Sequence, residues 1–515
     1  MREYVFGANI LENLTTGMYK DSKVIYREYI QNACDQIDKA VRDGILLPQA
    51  GKINIWLDFE KRTISIEDNA TGIPASEFER TLGNIADSDK KIGEDKGFRG
   101  IGRLCGLAYC NQLVFTSSAK GEDIISIMTC DAIKMCRLIE ENVLGKKHTA
   151  SDVLHAINGF ETQHTKDLNS HFFKVELIGI NDENTDLLDF QQIKDYLSFV
   201  APVPYQNSFI YRTEVYNHAK ALSIKLDEYI IKLDGEQIFK KYNTVLKESN
   251  NAKYDDIFGV EFKDFYDDDD NLFAWMWVGL SQFRKAIPKI NQMRGLRLRK
   301  ENIQIGDENA LQKLFKEDRG NNYFVGEVFA ISRDLIPNSQ RDYFNENTTR
   351  AYFESKLRRF FNDELHKIYY DGSSINSAYR KIDTYEQKVT DFRIKEESGA
   401  FVDDEHRKDE YDSVLAAKKE ANTAQFKIEK MRDNADGLMS KVIKRIEKDR
   451  RPHKLLLETP PVQPEDVKPP RRTDKLSAYN KHEKKLIAKI FSIILRATDK
   501  DTAEMIIQKV EDELQ

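Results

Sequence analysis

Residues Tyr26–Ala40 read "YREYIQNACDQIDKA". The segment mixes apolar and charged residues at helical spacing. Glu28 and Asn32 stand four apart and Asp35 three further on, so one helix face carries all three. Read alone, that face is a solvated charged stripe. Its neighbours along the chain change the reading. In "ISIEDNATGIP" (Ile64–Pro74), Asp68 ends a strand and a turn with Gly72 follows. In "EDKGFRGIGRLCG" (Glu94–Gly106), Gly97, Gly100 and Gly102 come just before an apolar helix. Glycines there let backbone N–H groups approach phosphate oxygens, and a helix N-terminus adds a field that favours anions. No Gly-Lys-Ser/Thr follows, so this is not a Walker A loop.

The surrounding chain sets the context. Its 515 residues suggest about two to four domains. Charged residues make up 32% with a net charge of −7, which argues against a protein that coats nucleic acid generally. No apolar run is long enough to cross a membrane, and the N-terminus lacks a signal-peptide pattern. The five cysteines (Cys34, Cys105, Cys110, Cys130, Cys136) form no CxxC pair, and reduced core thiols in a cytoplasmic protein are the expected state.

The first 200 residues alternate helical stretches with strand-like runs. "KINIWLDF" and "TISIED" flank "EKR" as a hairpin, and "NQLVFTSS", "IISIMTC" and "FFKVELIGI" read as further strands. The expected fold class is α+β: an α/β sandwich with a largely antiparallel sheet over 1–200, then a second α+β domain over 201–370. "APVPY" marks the junction between them. Beyond, Ile375, Ala378, Ile382, Tyr385, Val389 and Phe392 recur at spacings of three and four. Val414, Ala417, Ala421, Ala424, Ile428, Met431, Ala435, Leu438 and Val442 repeat the pattern. This predicts a helical hairpin of coiled-coil type over 371–451. A proline-rich linker over 452–473 and a small helical docking or dimerisation module over 474–515 complete the expected organisation.

Taken in order, ExxxNAxD, DxxxG and GxxGxG ahead of a helix resemble the Bergerat-type ATP-binding fold shared by gyrase, heat-shock chaperones, histidine kinases and MutL, the GHKL superfamily. Within it, "REYIQNACDQIDK", "DNATGIPASEFERTLGNIADSD" and "YLSFVAPVPY" look most like the ninety-kilodalton heat-shock chaperones. The resemblance runs over roughly residues 1–370. It implies that Glu28 is the general base for the water attacking the γ-phosphate, that Asn32 completes a Mg²⁺ shell, and that Asp68 accepts from the adenine amino group. It further implies that Gly72 shapes the adenine turn, that Gly97, Gly100 and Gly102 cradle the phosphates, and that Gly83 to Lys96 form a lid. Asp35 reads equally as a structural carboxylate, and Lys39 as either the site's rim or plain surface. Two positions depart from the family pattern. Ala70 replaces the middle glycine of DxGxG, and Phe173 falls where a strand threonine is expected.

"GEVFAISRDLIPNSQRDYF" resembles the chaperone middle domain, whose loop delivers an arginine to the γ-phosphate; here that is Arg341, with Asn338 and Gln340 shaping the loop. Arg341 lies far along the chain from Glu28, so serving the same phosphate is expected to require the second domain to swing onto the first. Arg294, Arg297, Arg299 and Lys300 form a basic run, read either as a DNA-contacting edge or as the solvated face of a strand. The resemblance thus implies a slow, Mg²⁺-dependent ATPase with ATP and Mg²⁺ as cofactors. It implies a homodimeric clamp that couples N-terminal closure to remodelling or sensing of a protein client, without a membrane partner. The alternative is a MORC-like ATPase clamp acting on DNA or within a multi-protein defence or signalling system.

Overall fold

In the hairpin of Lys52–Asp58 (β1) and Thr63–Asp68 (β2), Ile53, Ile55, Ile64 and Ile66 point to one side and are buried, while Trp56 is 42% exposed. The period-two alternation therefore gives the sheet one packed face and one open face. The computed structural model describes residues 6–15, 17, 21–85, 102–397, 399–450, 459–461 and 472–515. The chain divides into two compact units, 1–280 with 287–362 and 281–286 with 363–515.

The first unit opens with helices Asn9–Leu14 (α1) and Val24–Arg42 (α2), followed by β1, β2 and Ala75–Gly83 (α3). Strands Cys110–Ser118 (β3) and Ile124–Asp131 (β4) come next, then helices Ala132–Val143 (α4) and Ala150–Ile157 (α5). Strands Asn158–His164 (β5) and Phe172–Ile180 (β6), then helices Phe190–Val200 (α6) and Arg212–Ala221 (α7), lead to Ile230–Leu233 (β7) and Glu236–Gln237 (β8). The eight strands form one sheet in the order β5-β4-β3-β6-β2-β1-β7-β8, antiparallel except where β7 runs parallel to β1. Its packed face carries Leu113, Phe115, Val175 and Leu177 alongside the four isoleucines, and α2 lies against it through Ile25, Tyr29, Ile30, Ala33 and Ile37. This is the α/β sandwich expected from the sequence. Four of the five thiols (Cys34, Cys105, Cys110, Cys130) are buried, and burial raises the latter three; Cys136 alone is exposed, outside the core.

Strands Val245–Lys247 (β9) and Lys253–Asp256 (β10) pair with each other. Gly259–Tyr266 (β11), Leu272–Leu280 (β12), Gly295–Lys300 (β13), Ile303–Ile305 (β14) and Val325–Ala330 (β15) form a second sheet in the order β11-β12-β15-β13-β14. Helix Thr348–Phe360 (α8) follows. All six residues of β13 are buried, which corrects both readings of the basic run. Arg299 is fully enclosed and ion-paired with Glu327 of β15; it also donates to the carbonyls of Asn302 (2.9 Å) and Phe199 (2.8 Å). Arg297 lies 4.0 Å over the Phe199 ring and donates to Gln304 Oε1 at 3.0 Å. Lys300 donates to the Ser332 carbonyl at 2.7 Å, and Arg294 is half-buried. The run binds the sheet to the end of α6 and presents no basic edge.

Glu327 is the centre of that buried cluster. Lys240 Nζ lies 3.3 Å from Oε2, Trp277 donates at 3.2 Å, Tyr242 at 3.1 Å, and Tyr205 also donates. Burial alone would raise this carboxyl, but Arg299 and Lys240 outweigh it and hold the group down at about 2.

The second unit is helical. His366–Glu397 (α9) and Asp404–Asp433 (α10) run antiparallel, bridged by Lys395–Glu410 (2.7 Å), Lys388–Ser413 (2.7 Å) and Lys381–Glu420 (3.3 Å). Val414, Ala417, Ala421, Ala424 and Ile428 of the expected seam are buried. The seam does not continue to Val442 in one helix. Asn-Ala-Asp-Gly after Asp433 disfavours helix, Gly437 adopts φ +48°, and the chain restarts as Gly437–Arg450 (α11). That helix turns Met439, Val442, Ile443 and Ile446 inward and places Arg450 4.5 Å over the Tyr379 ring of α9. Residues 281–286 belong here too: Asn376 donates to the Gln282 carbonyl at 2.8 Å, and Gln282 donates to Asp449 at 2.6 Å. Helices Lys481–Ala497 (α12) and Lys500–Leu514 (α13) pack through Ile487, Phe491 and Ile507, and Arg496 meets Asp391 of α9 at 3.2 Å. The proline-rich stretch lies outside the described residues apart from 459–461 and 472–473.

Candidate functional site

α2 delivers the residues of the opening stretch to the sheet. Its apolar stripe fixes the helix on β1 and β2, and Glu28 and Asp35 are buried on it at 9% and 4% exposure. Asn32 is half-buried, whereas Lys39 is exposed near the helix end, where its charge suits the dipole.

Glu28 stands among three features distant in sequence. Its Oε1 lies 3.4 Å from Arg27 and 3.7 Å from Nε of Arg341. Its Oε2 faces Gly102, where a β-carbon would come within 2.6 Å of it. Glycine at 102 thus leaves room beside the oxygen that the two guanidinium groups leave uncovered. Gly102 opens a short 3₁₀ segment, Gly102–Ala108, rather than the expected apolar α-helix. The tighter turn brings Gly106 under the Tyr29 hydroxyl, which donates to the Arg103 carbonyl at 3.0 Å. Gly97, Gly100 and the lid beyond Ile85 lie outside the described residues.

Arg341 reaches Glu28 from a strained loop. It is 8% exposed and sits at φ +54°, a conformation that a non-glycine residue holds only when its surroundings fix it. Its own carbonyl accepts from Gly306 N at 2.8 Å, and Asn338 contacts Asp342 at 2.5 Å. Arg27 donates to the Gln340 carbonyl at 3.0 Å, tying α2 directly to this loop. Arg341 was expected to need a domain swing; here it already meets Glu28 inside one compact unit. A cavity of about 650 Å³ opens beside this contact, lined by Arg27, Gln340 and Arg341 among others.

At the other end of the site, Asp68 closes β2 at 3% exposure and accepts from Ala70 N at 2.9 Å. Burial raises its carboxyl to about 7, with the Ala70 N–H opposing and Glu67 adding to the rise. Gly72 adopts φ +66°, and a β-carbon there would stand 1.9 Å from the Ser118 carbonyl oxygen, so no other residue fits. Phe173 pairs across the ladder with Asp68 and packs 5.9 Å from Phe115, half-buried against the core where a threonine was expected.

Three contributors were not legible in the sequence. Arg27 sits beside Glu28 without a motif to mark it. Ser117 is fully buried, accepting from Ile73 N at 2.8 Å and donating to the Phe172 carbonyl at 3.0 Å. His171 Nδ1 lies 2.6 Å from the Ala70 carbonyl oxygen. No cluster of three or more metal-ligating His, Cys, Asp or Glu side chains occurs among the described residues.

The donor set fits an adenine nucleotide. A buried carboxylate with no cation in contact among the described residues favours a neutral hydrogen-bond donor such as an exocyclic amine. The guanidinium pair beside Glu28 favours an anion. Comparison with known proteins agrees. Residues 25–165 match the family described as histidine kinase-, DNA gyrase B-, and HSP90-like ATPase. Chaperone protein HtpG of Coxiella burnetii is 35% identical over 85 residues, covering 15% of this chain and 13% of that protein. HtpG of Acinetobacter baylyi is 30% identical over 132 residues, covering 22% and 21%. HtpG of Bacillus velezensis is 30% identical over 142 residues, covering 24% and 23%. The chain therefore spans less than a quarter of the length of these curated relatives. From residue 25 to residue 165, then, the chain is similar to the histidine kinase-, DNA gyrase B- and HSP90-like ATPases, and over part of its length to bacterial HtpG chaperones.

Proposed function

We propose that this protein is a slow ATPase that works as a homodimeric, chaperone-like clamp on a protein client in the cytoplasm. The observation that carries the reading is the meeting of Glu28 and Arg341 at 3.7 Å, a carboxylate of the first sheet's helix under a cation of the second domain's loop. Bound ATP with Mg²⁺ would supply the phosphoryl group and neutralise its charge. Asp68 would accept from the adenine amino group, with Gly72 shaping the turn, and Asn32 would hold the metal through its amide oxygen. Gly97, Gly100 and Gly102 would line the phosphates, and the segment from Gly83 to Lys96 would cover them. Glu28 would take the proton of the attacking water at Oε2, the oxygen facing Gly102. Arg27 and Arg341 hold the other oxygen until a phosphate competes for them, and Arg341 then stabilises the charge of the transferring group. Asp35 is assigned a structural role on α2, and Lys39 lies at the exposed end of the same helix. The burial of three of the four cations in the run 294–300 removes one candidate DNA contact of the MORC-like alternative, so the protein-client reading is preferred.

The test is hydrolysis by the full-length protein. Glu28→Ala should bind ATP and lose turnover by about a hundredfold or more, as expected for removal of a general base. Arg341→Ala should bind nearly normally and slow by about ten- to a thousandfold. Wild-type hydrolysis by Glu28→Ala would refute the assignment of the base.

A further inference from the structure

The Ala70 peptide is gripped from both sides. Its N–H is held by Asp68 Oδ1 at 2.9 Å and its carbonyl by His171 Nδ1 at 2.6 Å, and Ala70 is fully buried. A carbonyl oxygen only accepts, so Nδ1 of His171 carries the proton. The next residue, Phe172, supports the far end of the same turn: its carbonyl accepts from Ser117, whose oxygen in turn accepts from Ile73 N. The backs of Ser118 and Phe172 also close on Gly72. His171 and Phe172, at the start of β6, thus fasten the turn 68–73 at both ends, beside Asn69, which meets Ala50 and Lys52, and Thr71, which donates to Gln36 at 2.9 Å; His171 is the side chain that holds the Ala70 carbonyl.

We propose that His171 is a positioning residue for nucleotide binding, holding the turn so that the Asp68 carboxylate is fixed toward the base. The inference rests on the reading of Asp68 as the acceptor of the adenine amino group. The mechanics follow from bond count. With the Ala70 carbonyl released, the 70–71 peptide loses its anchor; it joins the 69–70 peptide, whose N–H orients Asp68, at the Ala70 α-carbon, so the dihedrals on both sides of that carbon loosen. Ala70 stands where the family pattern has glycine, and its buried methyl narrows the backbone's choices. The histidine then selects among them.

The test uses the full-length protein with ATP, measuring KM, kcat and the melting temperature of the nucleotide-free form. His171→Ala should raise KM by about ten- to a hundredfold, the range for losing a short buried hydrogen bond that orders a site, with kcat at saturation within about twofold. His171→Asn carries an amide nitrogen as many bonds from the backbone as Nδ1, and should recover KM to within about threefold of wild type. His171→Gln places that nitrogen one bond farther and should behave like His171→Ala. A wild-type KM in His171→Ala overturns the proposal. So does an equal loss in all three variants accompanied by an equal fall in melting temperature, which would mark His171 as a fold contact only. Asp68→Asn serves as the separate control: unchanged ATP binding there would remove the adenine reading itself, and this inference with it.

Discussion

Asp68 is a carboxylate placed where water cannot help it. Burial lifts it to about 7, so the folded protein keeps a proton that the unfolded chain has released above the ordinary carboxylate range. The sign follows from that. Its contribution to stability is complete below the unfolded value and is lost as pH rises through about 7. Binding runs the other way, because an exocyclic amine needs the ionised acceptor; ATP affinity should fall about tenfold per pH unit well below 7. Asp68→Asn keeps an oxygen for the Ala70 N–H and removes the buried charge. Above pH 7 it should melt at or above the wild-type temperature yet gain nothing from ATP. Thermal melts at pH 6 and 8, with and without ATP, check both halves; an ATP shift in Asp68→Asn would contradict them. Asp68 and Gly72 were legible in the sequence because a strand-end carboxylate and a turn glycine are local signals. His171 was not, since its contact spans 101 residues and no spacing encodes it.

Among the elements, β13 and β15 carry the largest electrostatic commitment. Glu327 is a lone acid in an apolar strand, "YFVGEVFAIS", a signal for an enclosed partner that the sequence reading passed over. Its partners were not visible, because the alternating pattern of β13 suits a half-exposed strand and says nothing of a second layer covering the other face. Glu327→Gln would leave Arg299 as a buried cation without its counter-charge and Lys240, which burial already lowers to about 7, without the carboxylate that favours its proton, at a cost of about 3–5 kcal/mol. Denaturant melts should show that loss near neutral pH, and the wild type should lose the same contribution as pH falls through the carboxylate range toward 2. A change below about 1 kcal/mol would mean the cluster relaxes or takes up water. The helix seam of α10 was readable as far as Ile428; beyond it the Ala435 and Leu438 spacing persisted while Asn434, Asp436 and Gly437 ended the helix.

For the whole molecule, the proposed homodimer is a matter of which surface remains open. α12 turns Ile487 and Phe491 inward, but Leu486, Ile490 and Ile493 on the adjoining face are 58%, 43% and 48% exposed at spacings of four and three. Ile490→Asp alters that stripe without touching the inward face, so it should keep the melting temperature and convert a dimer into a monomer by light scattering. An unchanged mass would place self-association elsewhere. The sequence reading anticipated two C-terminal helices, and both are present; what each one covers depended on α9, whose packing no local pattern describes.

The six residues 281–286 bear on how such a chain can be inherited. They lie between β12 and β13 in sequence, yet Gln282 reaches Asn376 and Asp449, and Gly372 leaves space for Phe283. A helical tail transplanted by fusion at residue 363 would arrive without its hexapeptide, and a first unit taken alone would keep that loop, Ser281 to Ala286, without its partners. Recombination at that boundary therefore breaks two partners at once. Descent of the two units as one lineage, changing in step at positions 89 to 167 residues apart, is the simpler history for this architecture.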